Sequence, residues 1–280
     1  MMSNKVCIDC GGEYEPNYLE VLGTKRLNGR GRCPSCHIKA LGEYEAIEAT
    51  RQAREVISRR RDARSKVGIP PRYMKKDFSS FEKGRGKEID RAFRECCKYA
   101  EDYPIGRRPE GYRSLLIYSE HSWGVGKTHL SCSIAHRIFD RWEEPEHSTP
   151  KILWISEPEL YARIQASYNY TYEERQIMPN EDSIIKDLIY RDLLILDDVG
   201  KEKRTDPKFR QRTLFKIING RYNLDIPVVI TANLSPVALK DYFGTLGSDE
   251  ASWDRLYEMI DGEAIKIDGE SYRRKERKDD

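Results

Sequence analysis

Five consecutive residues, Gly124-Val125-Gly126-Lys127-Thr128, have the types and order of a phosphate cradle. Glycines let successive backbone N–H groups turn inward around phosphate oxygens. A helix starting there adds the partial positive charge of its N-terminus. Lys127 then reaches the β- and γ-phosphates of a nucleotide such as ATP, and Thr128 offers its hydroxyl to Mg2+. Trp123 and His129 flank the string and belong to the same expected contact set. The full pattern, G-x-x-x-x-G-K-[ST], places a glycine at position 121, where this chain has His121. A side chain there limits the backbone angles and crowds the phosphates, but the half that holds the β-phosphate is intact.

Two further strings complete the chemistry. Asp192-Leu193-Leu194-Ile195-Leu196-Asp197-Asp198 reads as a buried strand ending in two carboxylates, and ligands of open α/β sheets sit beyond such strand ends. Asp197 is placed to hold Mg2+ through water. Asp198 is placed to orient and polarise an attacking water. In Val228-Val229-Ile230-Thr231-Ala232-Asn233 another apolar strand ends in a polar amide, and Asn233 can bond the attacking water or the γ-phosphate.

Four of the seven cysteines lie near the start, as Cys7-x-x-Cys10 and Cys33-x-x-Cys36. Paired C-x-x-C units let four thiolates converge on one tetrahedral Zn2+. With all four positions filled by cysteine no open site remains, so such a zinc is structural. The surrounding segment has too few apolar residues to fold unaided, which is where metal binding supplies folding free energy. His37 is read as a bystander. Cys96, Cys97 and Cys132 fall in helical stretches and read as small buried apolar residues.

The elements that must position these groups follow from pattern. Short apolar runs at Leu115–Ser119, Ile152–Ile155, Leu193–Leu196, Val228–Thr231 and Ala264–Ile267 predict strands. Amphipathic stretches at Ile89–Tyr103, Thr128–Trp142, Glu157–Tyr168, Asp182–Tyr190, Arg210–Tyr222 and Ser252–Met259 predict helices. Strand alternating with helix at this spacing predicts an α/β fold on a parallel sheet. Residues 43–66 carry helix formers without Gly or Pro, and Arg51–Lys66 holds seven basic and two acidic residues. Gly68-Ile69-Pro70-Pro71 ends that helix. The expected organisation is a four-cysteine zinc module over 1–42, a basic helix and linker over 43–75, and the nucleotide domain over 76–280.

Composition sets the outer limits. The 280 residues carry 49 basic and 47 acidic side chains, a net +2, with 34% charged and 38% hydrophobic. That excludes a membrane-embedded protein, since no run approaches the ~18 apolar residues a span requires. The first residues lack the apolar core of a secretory signal. An odd cysteine count argues against a disulfide framework. The expected location is the cytoplasm.

GKTHL, LLILDDVG, VVITANLS and the late SWDRLYEM and SYRR together resemble the AAA+ ATPases of the bacterial helicase-loader group, the DnaC/DnaI type. IstB-like transposition helper ATPases share these motifs, and GIPPRY is similar to loader sequences. The resemblance covers roughly 68–274. It implies a P-loop AAA+ domain with a five-stranded parallel sheet, preceded here by a zinc-ribbon-like four-cysteine module and a basic helix. It implies that Lys127 and Thr128 form Walker A, Asp197 and Asp198 Walker B, and Asn233 sensor 1. Arg255 becomes the arginine finger that reaches a neighbouring subunit's ATP, and Arg273 the sensor-2 arginine for its own ATP. On residue type alone either arginine is a surface ion-pair partner, so these two roles rest on the resemblance. Asp198 stands where many relatives have Glu, and the shorter acid implies slow hydrolysis.

The resemblance also implies partners. The part before the ATPase domain docks the hexameric replicative helicase, with DNA as a second contact for the basic helix. Tyr161, Arg163, Tyr168, Tyr170, Tyr172 and Arg175 interleave aromatic rings with positive charge. Aromatic faces stack on unpaired bases while arginines follow the backbone, and this segment corresponds to the channel side of the assembled loader. The expected function is ATP-dependent loading of a helicase onto single-stranded DNA by a self-associating ATPase. Two alternatives stay open: an ATPase that assists a transposase in target selection, and a zinc scaffold that binds ATP weakly because of His121.

Overall fold

In the computed structural model, residues 4–21, 24–120, 122–142, 149–201, 205–244 and 251–272 are described. The chain divides into two units, Met1–Arg59 and Arg60–Asp280. In the first, β1 (Lys5–Val6) pairs antiparallel with β2 (Glu13–Tyr14), and β3 (Tyr18–Val21) with β4 (Thr24–Leu27). The described hydrophobic residues buried here are Cys7 and Tyr14, so apolar burial alone does not hold the unit together. Helix α1 (Pro34–Ser65) begins inside the second cysteine pair rather than at residue 43. Proline fits its first turn because an N–H there has no helical partner. Ile38, Leu41, Tyr44 and Ile47 on this helix are exposed.

The second unit opens with α2 (Lys87–Asp102), β5 (Leu115–Tyr118) and α3 (Lys127–Arg141). β6 (Ile152–Ser156), α4 (Glu157–Tyr168), α5 (Glu174–Ile177) and α6 (Glu181–Tyr190) follow. Then come β7 (Leu193–Val199), α7 (Pro207–Asn223), β8 (Val228–Ala232), α8 (Pro236–Phe243), α9 (Ala251–Met259) and β9 (Ala264–Lys266). The five strands form one parallel sheet in the order β6-β7-β8-β5-β9. All five sequence-predicted strands are present. Helix α8 escaped the sequence reading, although Ser235-Pro236 signals it: the Ser235 hydroxyl accepts the Ala238 N–H at 3.2 Å, and proline occupies the first turn.

The strands are mainly apolar because both faces are covered, with polar residues toward their carboxyl ends: Ser156, Asp197, Asp198, Thr231 and Lys266. Side chains alternate sides, so Leu115 and Ile117 pack with α2 and α3, while Leu116 joins the opposite core. Ile195 and Leu194 divide in the same way. Each fully buried Leu or Ile contributes roughly 1.5–3 kcal/mol. Cys96 and Cys132 are buried in the α2/α3 core, as their setting implied, and Cys97 is half-buried.

Several polar devices anchor this frame. Arg221 on α7 is fully buried and donates to the carbonyls of Leu188, Ile189, Arg191, Asp192 and Pro227. One guanidinium thereby closes the end of α6 and sets the starts of β7 and β8. The outer strand β6 is covered by the linker: the Trp154 N–H donates to Val67 O at 2.7 Å. Gly68 there has φ +89, and a Cβ would lie 2.5 Å from Trp154 O. Arg60 and Arg64, counted among the basic run, donate to Trp142 O and His136 O at the end of α3. These two arginines are packing residues, so the run is not uniformly a solvated basic face. Among the described residues, no helix is long and apolar enough to cross a membrane.

Candidate functional site

The connection from β5 to α3 turns through two left-handed glycines, Gly124 at φ +76 and Gly126 at φ +114. Gly126 has a second reason to lack a side chain: a Cβ would meet the Phe81 ring at 2.7 Å. Val125 points into the core and fixes the loop from beneath. Lys127 is 6% exposed, and its Nζ donates to Ser119 Oγ and, at 3.4 Å, to Ser122 O. The Thr128 hydroxyl donates to Asp197 Oδ2 at 2.9 Å. His129 presents Nε2 to Asp77 O at 2.8 Å, so that nitrogen carries the proton; burial holds its pKa below the usual range. It ties α3 to the segment that covers the cradle.

Asp197 pairs with Ser156 across the sheet and is buried. Its carboxylate accepts from Thr231 Oγ1 at 2.7 Å, from Thr128, and from Ser131 Oγ at 3.4 Å. Burial, and then the neighbouring Asp198 carboxylate, push its pKa up to about 6. A buried carboxylate with a raised pKa that accepts from the hydroxyls of Thr128, Ser131 and Thr231 is chemically suited to a divalent cation. Neither Ser131, on α3, nor Thr231, on β8, was anticipated from sequence as a partner of this carboxylate.

Just beyond Asp197 the pairing of β7 with β8 slips between Leu196 and Val199. This bulge puts Asp198 in the left-handed region at φ +59. A non-glycine residue held there costs roughly 1–3 kcal/mol and marks functional sites. Its N–H donates to Thr231 Oγ1 at 2.9 Å, and its carboxylate accepts from Asn233 Nδ2 at 3.2 Å and Lys201 Nζ at 3.1 Å.

A cavity of ≈ 790 Å3 opens beside these groups, lined by Asp198 and Asn233 but not by Asp197 or Thr231. Trp123, Gly124, Val125, Gly126, Lys127, Thr128, His129, Asp198 and Asn233, all expected from sequence, line it. Arg72, Tyr73, Lys76, Phe81, Arg85, Lys201 and Tyr272 line it as well, with no site role expected of them from sequence. The Tyr272 N–H donates to Gly124 O at 3.0 Å, and its ring lies 5.8 Å from Lys76 Nζ and 5.5 Å from the Arg85 guanidinium. The late chain segment thus reaches the cradle through Tyr272. His121 and Arg273 lie outside the described residues. Arg255 is half-buried on α9, with its guanidinium 5.5 Å from the Phe215 ring and 5.7 Å from the Tyr222 ring, outside the cavity lining.

The interleaved aromatic strip is only partly available. Tyr161 is buried, with its hydroxyl 3.0 Å from Glu157 Oε1, so it cannot stack on a base; helical periodicity turns it inward. Arg163 pairs with Glu159, and Arg175 Nε donates to Tyr170 O at 3.0 Å. Tyr168 donates to Glu181, Tyr170 is half-buried, and Tyr172 is exposed.

In the first unit, the Sγ atoms of Cys7, Cys10, Cys33 and Cys36 all lie within 4.8 Å of one another. Cys10 and Cys33 are 3.9 Å apart. A tetrahedral zinc–tetrathiolate centre with Zn–S near 2.3 Å has sulfurs about 3.8 Å apart, so the four thiols fit one. The Cys33 N–H donates to Cys7 Sγ at 3.2 Å, and this amide with that of Cys10 lowers the Cys7 pKa to about 6. Asp9 and Arg32 form an ion pair between the two knuckles.

A family model described as IstB-like ATP binding protein matches residues 120–280. Among curated proteins none matches the chain. Among solved structures, the fold is similar to that of DnaI, with TM-score 0.50 and 20% identity over 72% of this chain and 94% of that one. It is also similar to the DnaC helicase loader, with TM-score 0.52 and 20% identity over 71% of this chain and 100% of that one. These likenesses identify the fold.

Proposed function

We propose, from the premise that this chain belongs to the IstB-like ATP-binding protein family, that it hydrolyses Mg2+-ATP in the cytoplasm and uses the cycle to place a hexameric replicative helicase on single-stranded DNA. The observation that carries the hydrolytic part is the meeting of Lys127, Thr128, Asp198 and Asn233 on one cavity, with Asp197 directly behind Thr128. Lys127 leaves Ser119 for the β- and γ-phosphates of bound ATP. Asp198 and Asn233 orient the attacking water, and Asp198 polarises it. Thr128 and Asp197 would hold Mg2+, which neutralises charge on the phosphates.

Arg255, remote from its own chain's cavity, acts on the ATP of a neighbouring copy, and Arg273 on its own. ATP-dependent self-association follows, because the finger is useful only across a subunit boundary. Cys7, Cys10, Cys33 and Cys36 hold a structural zinc, and the module they stabilise docks the helicase. Arg163, Tyr168, Tyr170, Tyr172 and Arg175 contact single-stranded DNA. The division into a zinc module over 1–42, a basic helix and linker over 43–75 and an ATPase domain over 76–280 serves this reading. A protein of the same fold is a helicase loader, which supports a helicase as partner.

A second reading, an ATPase that assists a transposase, is favoured by the IstB-like match over 120–280. Affinity purification from the native host with an ATP analogue present separates the two. A hexameric helicase in the eluate supports the loader; a transposase in its place overturns it.

A further inference from the structure

Glu157 is the first residue of α4, directly after β6, and its side chain is fully buried. None of the steps above uses it. Three donors from three different elements converge on its carboxylate. Oε2 accepts the Gly200 N–H at 2.9 Å, Oε1 accepts the Tyr161 hydroxyl at 3.0 Å, and the Tyr242 hydroxyl lies 2.9 Å from both oxygens. The Tyr242 ring in turn packs 3.9 Å beneath the Arg210 guanidinium. Burial raises the Glu157 pKa, and the Gly200 amide and the tyrosine hydroxyls hold that rise back. A buried carboxylate is costly unless it is fully hydrogen-bonded, so this arrangement is a built feature.

What it grips is the exit of the β7 bulge. Asp198 needs its left-handed conformation to enter the phosphate cavity, and that conformation is strained. On the entry side the Asp198 N–H is held by Thr231. On the exit side Gly200 has φ +89 and packs against Leu234, where a Cβ would lie 2.4 Å from the side chain. The Gly200 N–H is bonded to Glu157. We propose that Glu157 is a positioning residue for ATP hydrolysis: by accepting the Gly200 N–H it locks the turn that aims Asp198 at the γ-phosphate, and through Tyr161 and Tyr242 it ties that turn to α4 and α8.

The inference rests on the ATPase reading above, but the brace itself can be measured without turnover. In this geometry length matters more than charge. Glu157→Gln keeps a carbonyl oxygen at the same reach, whereas Glu157→Asp retracts the acceptor from Gly200. With the full-length chain, Glu157→Asp is expected to lower kcat at least tenfold with nucleotide affinity within about twofold of wild type. Glu157→Gln is expected to stay within about threefold in kcat. Tyr161→Phe, which leaves the Gly200 bond intact, should lower the Tm with little change in kcat. Amide hydrogen exchange over residues 198–201 should be at least tenfold faster in Glu157→Asp than in wild type or Glu157→Gln. Exchange that is the same in all of these proteins overturns the brace. So does an active Glu157→Asp beside an inactive Glu157→Gln, which would show that charge is what counts. A wild-type chain that binds ATP without hydrolysing it counts against the ATPase reading, while the exchange measurement still decides whether Glu157 holds Gly200.

Discussion

Thr128 and Asp197, 69 positions apart, meet through a 2.9 Å hydrogen bond between the first turn of α3 and the end of β7. This bond joins the phosphate cradle to the paired carboxylates, and its two partners are the residues that would hold Mg2+. It also sets an opposition between stability and function, because Asp197 is buried with a pKa raised to about 6.

The sign of that opposition is definite. A carboxyl whose folded pKa lies above its ordinary value favours the folded state while protonated. That contribution is full below about pH 4 and is lost as pH rises through about 6. Without Mg2+, Asp197→Asn should therefore be more stable than wild type at pH 7.5, by an amount on the order of 1–3 kcal/mol, while hydrolysis is abolished. Thermal denaturation in chelator, followed by a phosphate-release assay with Mg2+, checks both halves. The Mg2+ concentration needed for half-maximal hydrolysis should rise as pH is lowered through about 6, because the proton on metal-free Asp197 competes with the cation.

Lys127→Ala should lose at least a hundredfold in ATP hydrolysis measured with single-stranded DNA present. Asp198→Asn should lose a similar factor and keep its affinity for ATP, because the role proposed for Asp198 is to orient the attacking water. Steady-state rates together with fluorescent-nucleotide titration separate the two effects. Equal rates in wild type and Lys127→Ala would end the motor reading.

Arg255 stands outside the cavity of its own chain. Arg255→Ala and Lys127→Ala should each be nearly inactive alone, and mixing them should restore part of the hydrolysis. An intact cradle in one chain then meets an intact finger from the other. A mixture no more active than its components argues against the role in trans.

Arg221 should prove the most sensitive polar residue of the frame. Arg221→Leu removes the donor from five carbonyls, those of Leu188 and Pro227 in buried bonds and those of Ile189, Arg191 and Asp192 in part-buried ones. Unsatisfied buried groups cost about 1–3 kcal/mol each before relaxation, so the expected loss is at least about 3 kcal/mol. Urea denaturation measures it, and a loss below about 1 kcal/mol would show that solvent or other donors replace the guanidinium.

The cysteine cluster predicts about one zinc per chain. Cys33→Ser should lower that content and expose the first unit to proteolysis, because few buried apolar residues are there to hold it. Metal analysis and limited digestion check the two outcomes. A metal-free wild-type protein with the same protease resistance would sink the zinc module.

The sequence by itself determined the local chemistry. Alternation of apolar runs with amphipathic stretches placed all five strands, because a parallel strand covered on both faces is mainly apolar. Glycine at 124 and 126 and lysine at 127 announced the cradle, because only those types allow the turn and the charge. The C-x-x-C spacing announced a four-thiol cluster. Only the tertiary structure decided which distant residues serve these groups. Ser131 and Thr231 bond Asp197, Glu157 grips Gly200, and Arg221 collects carbonyls from three segments, although no local pattern marks any of them. Tyr161 shows the same limit in reverse: within an alternation of tyrosine and arginine it reads like its neighbours, yet helical rotation carries it into the core. Periodicity is a property of neighbouring residues and survives in the sequence, whereas hydrogen-bond partners far apart in the chain exist only once the sheet has brought their elements together.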